Sequence, residues 1–331
     1  MITEEFTFPS AEEGETIYGK AYLPYGEVKG IVQFAHGMCD YGERYEEFFQ
    51  ELTDCGYIAA YSDHLGHGNS VSSLDDLGFF SHRDGYKKMV EDFAHFYDIL
   101  DEKFPGEKHY VMGHSMGSFV VRYFMATYRK NMAGAILMGT SGQNVLAAPG
   151  SVLAALVAFL RGDYYRSPFI EKMAFGSYNK RIKDPVSAWD WLSRDRRAAY
   201  NFDNDELRNR IFTASAFKDL FAILRAVNLV PVIEDTPKEL PILIISGEED
   251  PVGNYGKGIY RLEDTLVSLN FNDVETVLFP GARHELCHET NRDEVYETLV
   301  DWLNRHVYKD IELTFPDDDD YDFDSEEWED E

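Results

Sequence analysis

Tyr110-Val111-Met112-Gly113-His114-Ser115-Met116-Gly117 is the stretch that decides how this chain is read. An apolar run leads into the pattern G-x-S-x-G, and Met116 to Tyr128 behind it has helical character. A strand that ends, turns sharply and starts a helix presents a serine hydroxyl at the tip of the turn. Glycines two residues either side leave the turn room, because they carry no Cβ. The helix N-terminus behind Ser115 offers free N–H groups and partial positive charge. An oxygen that becomes negative during acyl transfer would be stabilised there. The pentapeptide alone arises often by chance, so the reading rests on its strand-to-helix setting and on the partners it requires.

A nucleophilic serine needs a base, and the base needs an orienting carboxylate. In this architecture they follow in the order serine, acid, histidine. Pro241-Ile242-Leu243-Ile244-Ile245-Ser246-Gly247 reads as a buried strand entering a turn, followed by Glu248, Glu249, Asp250 and Pro251. A carboxylate just past the C-terminal end of such a strand lies where open α/β sheets keep their sites. Asp250 is preferred over Glu248 and Glu249, because Pro251 stiffens the loop after it and the spacing from Gly247 lets the turn finish first. Val274 to Phe279 is the next strand, and Pro280-Gly281-Ala282-Arg283-His284-Glu285 follows it, ahead of a final helix from Arg292 to Val307. His284 is therefore the expected base. His288, one helical turn on, is the serious competitor. His36, His64 and His67 read as structural hydrogen-bonders, and His82, His95, His109 and His306 as surface or helix-face residues. His114, inside the elbow, points away from the site if Ser115 points into it. Gly30 to Ala35 reads as an early strand and His36-Gly37-Met38 as the loop after it. The oxyanion donors expected are the backbone N–H groups of Met38 and Met116.

With these pieces in place, the chain resembles an α/β-hydrolase of the monoacylglycerol lipase and lysophospholipase group. The matching segments are His36-Gly37-Met38 with Gly42-Glu43-Arg44-Tyr45, Asp63 to Ser70, Gly113 to Gly117, Gly247 to Pro251, and Pro280 to Glu285. The resemblance runs from about residue 5 to residue 308. It implies an α/β fold with a mostly parallel eight-stranded sheet flanked by helices and an inserted helical cap. It also implies cleavage of carboxylic esters with no metal or organic cofactor. Relatives include peptidases, so a serine aminopeptidase of proline-iminopeptidase type remains an alternative, with Glu234 and Asp235 available to hold an amine. An acyltransferase or a non-catalytic binding protein on the same fold are the others.

The chain has 331 residues, 44% of them hydrophobic, enough for one large α/β domain with an insertion. Strand–helix alternation predicts a core over 1–141 and 236–310, and it stops over 142–235. That segment is helical and aromatic, with Val152, Leu153, Leu156, Phe159, Leu160, Phe169, Phe175, Trp189, Trp191, Phe202, Phe212, Phe217 and Phe221. Such a cap favours an apolar acyl chain, although at least half of these side chains are expected to pack among themselves, and no single substrate contact is assigned. Trp189 to Asp195 also resembles the cap of bacterial members of the group. Earlier in the chain, Glu4 to Phe8 and Glu15 to Tyr22 predict a hairpin, Asp63 to Ser70 a bracing turn, and Gly85 to Phe104 an amphipathic helix.

Three cysteines, Cys39, Cys55 and Cys287, suit a reducing cytoplasm and no disulfide framework, and match no zinc spacing. No secretory signal or run long enough to cross a bilayer is seen. The net charge of −29 disfavours nucleic acid and anionic membranes as partners. The acidic stretch 316–331 reads as a disordered, solubilising tail. The expected partner is a small-molecule acyl ester.

Overall fold

The computed structural model describes residues 1–128, 130–144, 147–208 and 210–307. Eight strands form one sheet: β1 (Ile2–Pro9), β2 (Thr16–Leu23), β3 (Gly30–Ala35), β4 (Tyr57–Ser62), β5 (His109–His114), β6 (Met132–Met138), β7 (Ile242–Gly247) and β8 (Val274–Phe279). Their order is β1-β2-β4-β3-β5-β6-β7-β8. The hairpin β1–β2 is antiparallel, as is the pair β2–β4; every other pairing is parallel. This is the mostly parallel eight-stranded sheet expected of an α/β-hydrolase.

The strand sequences explain why both faces are covered. Every residue of β3, β4, β5 and β7 is buried. Successive side chains point to opposite faces, so a continuous apolar run supplies two cores at once. In β7, Ile242 and Ile244 join one core and Leu243 and Ile245 the other. The first core is completed by α2 (Gly85–Lys103), α3 (Met116–Thr127) and α9 (Lys257–Ser268), through Phe93, Phe96, Val120, Phe124 and Leu262. The second is closed by α1 (Glu46–Asp54) and α10 (Arg292–Val307), through Phe48, Phe49, Leu52, Leu299 and Trp302. Truncating one of these, such as Leu243→Ala, removes its buried area and leaves a cavity, at about 2–5 kcal/mol.

Between the neighbouring strands β6 and β7 the chain makes a long excursion. It holds α4 (Ala147–Arg161), α5 (Pro168–Phe175), α6 (Arg196–Asn204), α7 (Ala214–Ala226) and α8 (Val230–Glu234), with no strand of the sheet among its described residues. α4 packs along α7, with Gly150 against Phe221. Two polar ties fasten the excursion to the body. Asp219 on α7 sets its carboxylate against Gly85 at the start of α2, and burial lifts its carboxyl to about 6. Arg122 on α3 donates to the carbonyls of Ser141 and Val227 and to the Asn228 side chain.

Two histidines read from sequence as surface or helix-face residues are buried instead. His109 is 1% exposed, stacks on Tyr97 at 3.8 Å and bonds Asp101. His306 is 8% exposed against Trp302. In each case a neighbouring aromatic ring and a hydrogen bond to the imidazole offset its desolvation. The acidic stretch 316–331, and the core boundary at 310, lie outside the described residues. Among those residues no helix is long and apolar enough to cross a membrane, and no cluster of His, Cys, Asp and Glu is arranged to hold a metal.

Candidate functional site

β5 ends at His114 and α3 begins at Met116, so Ser115 is the whole of the turn between them. Its backbone sits at φ 53°, ψ −119°, a conformation that costs a residue with a side chain energy unless its surroundings hold it. The flanking glycines show how tight the turn is. A Cβ on Gly113 would lie 2.3 Å from the Gly117 carbonyl oxygen, and one on Gly117 would lie 2.0 Å from that of Ala35. Three ladder and turn bonds hold the strain: Ser115 N–H donates to the Met138 carbonyl, and the Ser118 amide and hydroxyl both donate to the Ser115 carbonyl.

The loops at the C-terminal ends of the parallel strands converge on this turn. After β3, Gly37 lies close enough that its Cβ would be 3.3 Å from the Ser115 Cβ. Met38 and Met116 both line the cavity above Ser115, Met38 half-buried and Met116 fully so. After β7, Asp250 is completely buried and accepts from the Val252 N–H at 2.8 Å and the Ser246 hydroxyl at 3.2 Å. Glu248 and Glu249 are exposed, with Glu248 bonded to the Gly281 N–H. After β8, His284 donates from Nδ1 to Asp250 Oδ2 at 2.9 Å. That bond fixes the ring orientation and leaves Nε2 as the basic nitrogen. Gly139, at φ 58°, allows the close approach, since a Cβ there would lie 3.1 Å from the imidazole. The Trp191 ring packs against the imidazole at 5.1 Å between centroids.

The rival histidines are otherwise engaged. His288 Nε2 meets the Arg44 carbonyl at 3.0 Å, and burial then Arg44 push its pKa down to about 4. His114 sits beneath the site, its ring nitrogens 2.9 Å from the Tyr45 hydroxyl and 3.2 Å from the His284 carbonyl. Burial first and His284 second push it down to about 3, so it stays neutral. The three upstream histidines brace the β3 loop. His36 Nδ1 donates to the Gly37 carbonyl, the His64 N–H donates to His36 Nε2, and His64 Nε2 donates back to the His36 carbonyl. Asp63 accepts the N–H groups of Gly42 and Asn69, and burial raises its carboxyl to about 7. Cys287 is buried, its thiol pushed up chiefly by that burial.

Sequence reasoning missed a buried ionic cluster beside the site. Arg44 reaches Asp40 at 2.6 Å and Glu285 at 2.9 Å. Arg208, from the excursion between β6 and β7, reaches Glu285 at 2.6 Å and lies 3.7 Å from Asp40. Burial alone would raise both carboxyls, but the two guanidiniums override it and hold Glu285 and Asp40 below the usual carboxylate range. The signal available was Glu285 directly after the candidate base and Arg44 within a matched motif. Nothing local marks Arg208.

Ser115 and His284 open into one cavity of about 300 Å³. Leu153, Phe175, Phe221 and Leu224 from the inserted helices give it apolar walls, and Asp40, Arg208 and Glu285 give it a polar edge. Of the aromatic and aliphatic residues singled out in 142–235, Trp189, Trp191 and Phe202 also line it, and Phe212 and Phe217 are buried outside it. Val152, Leu156, Phe159, Leu160 and Phe169 face solvent.

Comparisons with known proteins identify the family and the fold. Residues 26–291 match the family described as Serine aminopeptidase, S33. The chain is 26% identical over 300 residues to a monoglyceride lipase homolog of monkeypox virus, covering 89% of this chain and 95% of that one. It is 26% identical over 304 residues, with the same coverage, to a monoacylglycerol lipase of Mycolicibacterium smegmatis. A thermostable carboxyl esterase from Bacillus coagulans, solved in complex with glycerol, superposes with a TM-score of 0.87 at 28% identity, over 93% of this chain and 99% of that one. The chain belongs to the Serine aminopeptidase, S33 family and is a hydrolase of α/β-hydrolase fold similar to the monoglyceride lipases and esterases.

Proposed function

We propose that the protein is a serine carboxylesterase of monoacylglycerol-lipase type, acting through Ser115, His284 and Asp250. The observation that carries this is the strained Ser115 at the strand–helix apex, sharing one cavity with a histidine bonded to a buried aspartate. Ser115 Oγ attacks the ester carbonyl while His284 Nε2 takes its proton. Asp250 holds the imidazole and stabilises its charged form. The N–H groups of Met38 and Met116 bind the oxyanion. The alcohol leaves with the proton from His284, and water then hydrolyses the acyl-enzyme. The helices of 142–235 act as a cap, and their apolar walls take the acyl chain of a small ester such as a monoacylglycerol or lysophospholipid. A metal or organic cofactor has no step in this scheme. The free thiols of Cys39, Cys55 and Cys287 suit the reducing cytoplasm, where we place the protein.

An aminopeptidase would need a carboxylate in the cavity for the substrate amine. Neither Glu234 nor Asp235 lines it, and the two carboxylates that do, Asp40 and Glu285, are paired with arginines. The test is a chain-length series of p-nitrophenyl esters and monoacylglycerols beside prolyl-p-nitroanilide. A maximum of kcat/KM at medium or long acyl chains is expected. Turnover of the anilide with weak ester activity would overturn the reading.

A further inference from the structure

The excursion between β6 and β7 is held near both its ends by one side chain of the body. Arg122 lies on α3, about two helical turns past Ser115, and is 6% exposed. Its Nη1 donates to the Ser141 carbonyl at 2.8 Å. Its Nη2 donates to the Val227 carbonyl at 2.8 Å and to Asn228 Oδ1 at 3.1 Å. Ser141 stands just after β6, where the excursion begins, and Val227 and Asn228 stand at the end of α7, its last long helix.

The charge on Arg122 has no carboxylate to answer it. Burial pulls its pKa down to about 9, so it stays charged at neutral pH, and no described carboxylate contributes. Three fixed oxygens answer it instead. The Val227 carbonyl is one that a helix C-terminus leaves without an internal partner, and the partial negative charge of that end faces the guanidinium. A buried charge is costly unless its donors are met, so Arg122 constrains where the three oxygens sit. The planar fork sets them in fixed directions, which an ammonium would not.

The pinned end of α7 carries part of the cavity wall. Leu220, Phe221 and Leu224 line the cavity, and the Asn228 amide donates back to the Leu224 carbonyl at 2.8 Å. At the other crossing, a Cβ on Gly142 would lie 2.5 Å from the Gly258 carbonyl oxygen at the start of α9, so that crossing is wedged into the body. Arg122 itself is not part of the cavity lining.

We infer that Arg122 is a positioning residue: it pins the end of α7 to the helix behind Ser115 and so sets the apolar wall at its working distance from the nucleophile. This rests on the esterase reading above, in which that wall takes the acyl chain. A long acyl chain reaches Leu220, Phe221 and Leu224, whereas an acetyl group stays beside Ser115. Loosening the pin therefore costs binding of the long chain and spares the chemistry on the short one.

The test compares p-nitrophenyl acetate with p-nitrophenyl decanoate in the wild type, Arg122→Lys and Asn228→Ala, with rates expressed per site titrated by a fluorophosphonate. Arg122→Lys keeps the charge and loses the fork. Its kcat/KM on the decanoate is expected to fall about tenfold, mostly through KM, with the acetate within about twofold, the scale of one lost charge-assisted hydrogen bond. Asn228→Ala removes one acceptor and keeps the arginine, and a shift of about threefold in the same ratio is expected. That variant carries the test if the lysine protein fails to fold. An arginine that only stabilised the fold would reduce the number of titrated sites or the melting temperature. The decanoate-to-acetate ratio per site would then stay unchanged in both variants, which would overturn the inference. Hydrogen exchange reads the pin without any substrate. Amides of 220–229 should exchange faster in Arg122→Lys and in Asn228→Ala, while those of β5 and β7 should not, and unchanged exchange over 220–229 would contradict the pin. A wild type that hydrolyses neither ester would instead remove the esterase reading, so the two failures are distinct.

Discussion

The sheet and the excursion between β6 and β7 are both rich in apolar residues, but they place them differently. In β3, β4, β5 and β7 every side chain is buried, because helices cover both faces. In α4, an apolar helix of fifteen residues, Val152 is 71% exposed and Phe159 85% exposed, while Ala154 and Ala158 pack inward. The sheet is a closed packing problem with neighbours on every side. The inserted helices have the body on one side only and build the walls of a cavity. In the proposed mechanism the reacting groups accordingly come from the strand ends, and the surface proposed to select the substrate from the helices.

That division is sharpened first at the strand ends. Ser115→Ala is expected to lower kcat by roughly 10⁴-fold or more while leaving the melting temperature nearly unchanged, in ester assays paired with thermal unfolding. Asp250→Asn should cost roughly 10²–10⁴-fold in kcat through loss of the correct His284 tautomer, with little change in KM.

The ionic cluster that joins the two regions comes next. Glu285→Gln leaves Arg44 and Arg208 sharing Asp40 alone in a buried site, so a loss of roughly 3–5 kcal/mol is expected, read as a fall in the denaturation midpoint. An unchanged midpoint would mean the cluster does not hold the excursion to the body.

Stability should also depend on pH with a definite sign. His67 is pushed down to about 4, His114 to about 3 and His288 to about 4, in each case chiefly by burial. His36 and His64 also lie well below 6.5. The unfolded chain therefore takes up protons at these positions before the folded one does. Their contribution is full above pH 6.5 and is lost as pH falls toward about 4. Asp63, Asp92 and Asp219, raised by burial to about 7, 6 and 6, act in the opposite direction. The more numerous histidines prevail, so the melting temperature should fall from pH 7 to pH 4.5. His67→Gln should flatten that slope, and a slope of opposite sign would show the carboxylates dominating.

The smallest effect lies on the outer face of the inserted helices. Phe159→Ser is expected to change stability by less than about 0.5 kcal/mol, because its side chain already faces solvent. A large loss would place that face in contact with the body.

The same contrast explains what could be read from sequence. Strand ends and turns are local events: Gly113 to Gly117 marks the elbow, and β3, β8 and α10 begin and end at the residues their apolar runs and turn residues indicate. The positions of Asp250 and His284 follow from counting past those ends, and the structure brings the two within hydrogen-bonding distance. Arg208 and Glu285 are 77 residues apart and belong to different layers, so no periodicity announces their pairing. The burial of His109 and His306 depends on Tyr97 and Trp302 closing over them, which a single-residue polarity cannot convey. The exposed face of α4 was equally hidden, since an apolar helix reads the same whether its outer face is covered or bare.

The most direct test of the central claim is labelling with a fluorophosphonate, followed by peptide mapping. One adduct on Ser115 is expected, formed in step with loss of ester hydrolysis and absent from Ser115→Ala. An active enzyme that takes no label, or takes it on another residue, would contradict the assignment of Ser115 as the nucleophile.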